Sequence, residues 1–405
     1  MNETILYAYL KKKFSGGGGG GGEGGDSLAG VRFLDYDGTV VKSYSAEDFA
    51  ALASLPANPS HAGLTAQGWN WSLEDAKTYV AAYGTLDIGQ TYLPEDGKTK
   101  IKLSIPADAP SHRLTYAINF QQSVSGGVTV DWGDGSEAET YTGTSAATHT
   151  HTYAAGGDYD ITLDVTSGSL TFPSYITGGY SDQDAYKRVA VRAVYFGNDV
   201  ASIGNAFYNC YSLTSVVIPN TVTSIGNTAF YNCYSLASIT IPGGVTKIGS
   251  SLFYNCYSLA SISIPSSVTS IGNSAWINCR SLVSVTIPGG VTSIGNDAFS
   301  GCSSLASVSI PSGVTSIGNG VFQNCPLVSV TIPGSVTSIG SLAFSNCSSA
   351  GAYRLLASAP PALANANAFQ SIPSDCVIYV PQGALTDYQA AANWSTYASH
   401  MQEEP

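Results

Sequence analysis

The sequence predicts a multidomain chain: a small α+β segment over residues 30–97, a β-sandwich over 98–170, a connector over 171–190, and a parallel-β solenoid over 191–350. A cap over 351–397 and a tail over 398–405 complete it. Three observations predict this class. An Ile-Gly pair recurs at Ile203, Ile225, Ile248, Ile271, Ile294, Ile317 and Ile339, spaced by 23 residues with one residue deleted in two units. Before that array, apolar residues alternate with period two, as in Leu114, Tyr116, Ile118 and Phe120. Ahead of both stands a run of seven glycines, Gly16 to Gly22, which separates a 14-residue N-terminal peptide from everything that folds.

Composition removes several function classes. Asp and Glu outnumber Lys and Arg by 28 to 16, a formal charge of −12, the wrong sign for tracking nucleic-acid phosphates. Hydrophobic residues make up 44%, which argues against disorder although only 11% of residues are charged. No run approaches the roughly 18 apolar residues of a membrane span. Lys11, Lys12 and Lys13 follow the mildly apolar Met1 to Leu10 instead of preceding it, so a secretory leader is not expected here. Work outside a cell then implies either a leader missing from this sequence or another route, such as release by lysis with a virus particle.

In chain order, the peptide 1–14 reads as a docking segment or a disordered end, and 15–29 as a flexible linker. The segment 30–97 offers an apolar strand at Val31 to Leu34 and helical patterns at Ala46 to Leu55 and Ser72 to Tyr83, the second with Ser72 as N-cap. Strands with polar turns follow from Lys98 to Gly168, including Tyr159, Ile161, Leu163 and Val165. In each repeat an aromatic residue (Phe207, Phe230, Phe253, Trp276, Phe299, Phe322, Phe344) precedes a cysteine (Cys210, Cys233, Cys256, Cys279, Cys302, Cys325, Cys347). A Leu-x-x-Val-x-Ile run such as Leu213, Val216 and Ile218 supplies three inward residues. Such a unit cannot close a core alone, but stacked copies share one. Proline after the strand, from Pro219 to Pro333, ends the ladder because it has no N–H. Gly226, Gly249 and Gly272 are expected to give the backbone freedom to turn.

The repeat Ile-Pro-x-x-Val-Thr-Ser-Ile-Gly-Asn-x-Ala-Phe-x-Asn-Cys-x-Ser-Leu resembles the bacterial surface leucine-rich repeats of the BspA-like family, and Ile378 to Pro381 with Asn393-Trp394-Ser395 resembles that family's C-terminal cap. Val128 to Ser136, with His151-Thr152-Tyr153 and Gly157 to Ile161, is similar to the polycystic-kidney-disease (PKD) type β-sandwich. That resemblance implies a spacer or recognition module, with Asp134-Gly135 chiefly a turn. Tyr36-Asp37-Gly38-Thr39 and Gly68-Trp69-Asn70-Trp71 are similar to segments of structural proteins of gut-bacterial phages and prophages.

Asp35-Tyr36-Asp37-Gly38-Thr39 spells the first motif of haloacid-dehalogenase-type phosphatases, but too few residues remain before the sandwich for the remaining magnesium ligands. An Asp-Gly turn is the favoured reading. His149 and His151 share one strand face and lack a third ligand, so a packing histidine beside a solvent-facing one is favoured over a metal pair. Rungs about 5 Å apart would permit disulfides between stacked cysteines, yet their place beside inward aromatics favours a column of buried free thiols. Neither cofactor nor metal is expected. The outward positions flanking the Asn-Cys pair hold Tyr208, Tyr211, Tyr231, Tyr234, Tyr254 and Tyr257 on three adjacent rungs, then Arg280. Two readings stand: a binding patch for a host-surface glycan or protein, and the residue of recent duplication. Charged residues between Val200 and Ala350 are only Lys247, Arg280 and Asp297, so acid–base catalysis has little to work with there. A non-catalytic adhesion protein, extracellular on a virion or bacterial surface and held to a larger assembly by its N-terminal peptide, is the first expectation. A structural spacer is the second.

Overall fold

A computed structural model describes residues 31–34, 40–60, 64–69, 73, 77, 86–94, 96–111, 114–124, 127–176 and 190–405. The N-terminal peptide, the glycine linker and the Asp35 to Thr39 motif lie outside these residues. The described residues fall into two compact units, those up to 57 with 73, 77 and 86–88, and those of 58–69 with 89–405.

In the first unit β1 (Val31–Leu34) pairs antiparallel with β2 (Val40–Tyr44), and α1 (Ala46–Ala50) follows. Ser45 caps α1 by accepting from the Asp48 N–H at 3.0 Å. Phe33 and Phe49 are fully buried, their rings 6.1 Å apart. The helix is shorter than the pattern to Leu55 suggests: Ala51 is its C-cap, with its N–H donating to Glu47 O. Of the helix expected over 72–83, the structure describes only residues 73 and 77, both helical.

The second unit opens with β3 (Leu64–Trp69), which pairs antiparallel with the Gln90–Pro94 part of β4 (Leu86–Pro94), Leu64↔Pro94 to Trp69↔Gln90. Seven strands then form two facing sheets: β5 (Thr99–Ile105), β6 (Thr115–Gln122), β7 (Val128–Asp131), β8 (Glu139–Tyr141), β9 (Ala147–Thr152), β10 (Gly157–Val165) and β11 (Leu170–Phe172). One sheet runs β5-β10-β7-β8 and the other β9-β6-β11. The period-two residues do face inward: Leu114, Tyr116, Ile118 and Phe120 are buried, as are Ile161 and Leu163.

Both sheets continue without a break into the repeats. β12 (Val191–Tyr195) pairs antiparallel with β5, Val194 facing Ile101, and parallel with the first repeat strand, Ser215–Val217. On the other sheet β13 (Val200–Ile203) pairs parallel with β11 and with Ser224–Ile225. Each later rung adds one strand to each side, as in Ile239↔Ile262 and Ile271↔Ile294. A single apolar cluster extends from Ile101 to Met401. Each proline opens a turn closed by the valine three residues on, for example Val245 N–H to Pro242 O at 3.0 Å.

The glycines after the inward isoleucines act differently from expectation. Gly226, Gly249 and Gly272 do not adopt positive φ; a Cβ at Gly272 would lie 2.6 Å from the Ser250 nitrogen of the preceding rung. They permit close stacking of rungs. Left-handed backbone is supplied instead by the asparagines before the cysteines, φ 62° at Asn209, 59° at Asn232 and 58° at Asn255.

At the C terminus α2 (Leu385–Ala390) and a 3₁₀ helix (Trp394–His400) cover the last rung. Trp394 is fully buried and donates its indole N–H to Pro361 O at 2.7 Å. The residues expected as a tail are structural: Met401–Glu403 is a strand parallel to Val377–Val380. Met401 is buried, which explains the pairing; an apolar side chain at that point has a core edge to cover.

A tyrosine surface on the first rungs

The loop that carries the tyrosines is held from rung to rung by backbone and side chain together. Asn209 N–H donates to Tyr231 O at 2.7 Å, and Asn232 N–H to Tyr254 O at 2.8 Å. Ser235 N–H donates to Tyr211 O at 3.2 Å, and Ser258 N–H to Tyr234 O at 3.1 Å. The asparagine amides form a ladder of their own, Asn232 Nδ2 to Asn209 Oδ1 at 2.8 Å and Asn255 Nδ2 to Asn232 Oδ1 at 2.9 Å. With the backbone fixed at both ends of each loop, the flanking side chains must superpose.

They do so in two columns. Tyr208, Tyr231 and Tyr254 stack at 4.8 and 4.6 Å between ring centroids, within 11° of parallel. Tyr211, Tyr234 and Tyr257 stack at 4.9 and 4.8 Å. Arg280 continues the second column, its guanidinium carbon 4.7 Å from the Tyr257 ring centre, a cation–π contact. Five of the six tyrosines are half-buried and Arg280 is exposed. Tyr234 is only 4% exposed, so it is an interior member of its stack and not an outward residue. Tyr175 meets Tyr208 edge-on at 5.7 Å and lengthens the first column. No repeat pattern marks Tyr175, which precedes the array, and sequence reasoning missed it.

Beneath this surface the inward aromatics form an unbroken ladder from Phe207 through Phe344 at 4.9–5.9 Å, prolonged by Phe196 before it and Phe369 after it. All eight cysteines are free and buried. From Cys233 to Cys347 each repeat thiol donates to the carbonyl of the preceding rung's aromatic, as in Cys256 Sγ to Phe230 O at 3.2 Å. Burial pushes the Cys347 thiol up to about 12 and Cys376 up to about 11, which keeps them protonated and unreactive.

The histidine pair differs from expectation in one respect: both members pack. His149 lies 4.5 Å from the Phe120 ring and 3.9 Å from the Tyr141 ring. His151 stacks on Trp132 at 5.0 Å, and its Nε2 meets Asp134 Oδ2 at 2.8 Å. Alternation on β9 turns both to the same covered face, leaving Thr148, Thr150 and Thr152 exposed. Asp134 is a turn residue as read, with Gly135 at φ 81°. Hydrogen bonds from Ser136 first, and then His151, hold the Asp134 carboxyl down to about 2. Among the described residues no three His, Cys, Asp or Glu side chains converge as metal ligands, and no helix is long and apolar enough to cross a membrane.

Residues 181–302 and 271–359 match the family described as the BspA type leucine rich repeat region, in six copies. No curated protein matches the chain. Among solved structures, the chain is similar to a leucine-rich repeat protein from Bacteroides ovatus at 25% identity, over 53% of this chain and 68% of that one, with a TM-score of 0.38. It is similar to a leucine-rich repeat protein from T. pallidum at 32% identity, over 45% of this chain and 83% of that one, TM-score 0.38. A leucine-rich cell surface protein from Faecalibacterium prausnitzii aligns at 21% identity over 57% and 86%, TM-score 0.30. The repeat's Ile-Gly, aromatic and Asn-Cys positions, each stacked on their own kind, lie within the residues that match the BspA type leucine rich repeat region.

Proposed function

We propose that this chain is a non-catalytic recognition protein of an extracellular surface, bacterial or virion, that binds a host glycan or protein through Tyr208, Tyr211, Tyr231, Tyr254, Tyr257 and Arg280, with Tyr234 packed between its neighbours as support. One observation carries the reading: six tyrosines occupy two parallel stacks on three adjacent rungs, whereas the same positions on later rungs hold Ile277, serines and Gln323. Rings immobilised by stacking lose little rotamer freedom when a ligand binds. In this reading the PKD-like sandwich spaces the site from its anchor, and the peptide 1–14 docks to a larger assembly. The spacer reading draws support from the shared sheets, which make the sandwich and the repeats one continuous body.

The test is retention of the full chain on an array of host-type glycans and matrix proteins, beside Tyr208→Ser and Tyr254→Ser, which sit at half-buried stack ends. A tenfold or greater loss in folded variants supports the binding patch. Unchanged retention, or none by the parent, leaves the spacer.

A further inference from the structure

Face-to-face stacking limits what a ligand can reach. Tyr231 has a parallel ring at 4.8 Å on one side and at 4.6 Å on the other, and Tyr234 has rings at 4.9 and 4.8 Å. The π faces, against which a neutral sugar ring or an apolar side chain would lie, are therefore taken up inside the columns. A ligand meets ring rims, where the quadrupole is positive. The second column also ends in a cation. Arg280 is exposed, stacks on Tyr257, and has no carboxylate partner among the described residues. A guanidinium held by its face keeps its planar fork of N–H donors for an outside oxyanion.

The surroundings do not oppose an anion. From residue 200 to 350 the other charges are Lys247 and Asp297, so the acidic excess of the chain lies in other segments. Charges farther than about 8 Å are largely screened at physiological salt.

We propose that the tyrosine columns and Arg280 form one site for an acidic glycan, laid along the rungs with a carboxylate in the fork of Arg280. This rests on the tyrosines being the binding patch. A glycan fits better than an acidic peptide for two reasons. Peptides gain affinity by adding a strand to an open sheet edge, but the strands after Tyr211 and Tyr234 are paired on both sides, Val216 with Val194 and Ile239, and Ile239 with Val216 and Ile262. A single cation among Ser, Thr and Asn also matches a polymer with sparse charge and many hydroxyls.

The experiment displays carboxylate-bearing glycans beside their carboxyl-reduced neutral forms, with poly-glutamate as the peptide probe, at two ionic strengths. The full chain should retain acidic forms at least tenfold better than reduced ones, and less at high salt. Arg280→Gln should abolish that preference, while Arg280→Lys, which keeps charge without the fork, should fall between. Equal retention of acidic and reduced forms, or an undiminished preference in Arg280→Gln, overturns the inference. Preferential capture of poly-glutamate overturns the choice of a glycan. Retention of neutral glycans that disappears in Tyr254→Ser would refute the acidic ligand and leave the tyrosine patch standing; no tyrosine-dependent retention would remove both.

Discussion

At the scale of single residues, the clearest electrostatic device is the cage around Asp134. Its carboxylate accepts from Ser136 N–H at 3.0 Å and Ser136 Oγ at 2.6 Å, with His151 Nε2 at 2.8 Å. A carboxyl held down to about 2 in the folded protein, from an ordinary 3.8, stabilises the fold above pH 4. That contribution is lost as pH falls from about 4 toward 2. Thermal unfolding across this range should show a steeper acid-side decline for the parent than for Asp134→Asn, and parallel curves would contradict the cage. Glycine supplies a second residue-scale prediction. A Cβ on Gly295 would sit 2.5 Å from the Asn273 nitrogen, whereas one on Gly243 would meet nothing within 4 Å. Gly295→Ala should cost about 1–3 kcal/mol by forcing rungs apart. Gly243→Ala should be neutral, or stabilising by about 0.4–1 kcal/mol through loss of unfolded-state freedom. Denaturant titration of the two variants tests the stacking role.

At the scale of elements, the tyrosine stacks carry structure as well as surface. Exposed substitutions seldom exceed about 0.5 kcal/mol, but Tyr234 is buried between two rings. Tyr234→Ser removes both ring contacts and uncovers its neighbours, so a cost of about 2 kcal/mol is expected, against a smaller cost for Tyr254→Ser at a stack end. Equal midpoints for the two variants in urea would show that the inner ring is no better packed than the outer one. The contrast also decides which variants are fit for binding assays.

For the molecule as a whole, the joined sheets couple regions that differ in sequence character. β12 lies between β5 of the sandwich and the first repeat strand, and β13 between β11 and the second sheet of repeats. In a solenoid each rung is stabilised by its neighbours, and an uncovered end exposes both apolar surface and unpaired backbone. A fragment of residues 191–405 should therefore melt well below the intact chain or associate through β12, measurable by calorimetry and sedimentation. A fragment as stable as the parent would show that the sandwich is dispensable as a cap.

Legible in the sequence were the repeat, its inward residues and the aromatic and cysteine columns, because in a stack every spatial neighbour sits one period away and the contacts are written into the spacing. The two tyrosine columns were legible for the same reason. Where no period links the partners, the pairing emerges only in the folded chain. Val191 finds Leu103, Met401 finds Ile378 and Tyr175 finds Tyr208 through non-repeating chain, and nothing local marks those pairs. Burial of Tyr234, and the role of glycine as a gap for the next rung instead of a hinge, likewise follow from the distance between rungs, which packing sets.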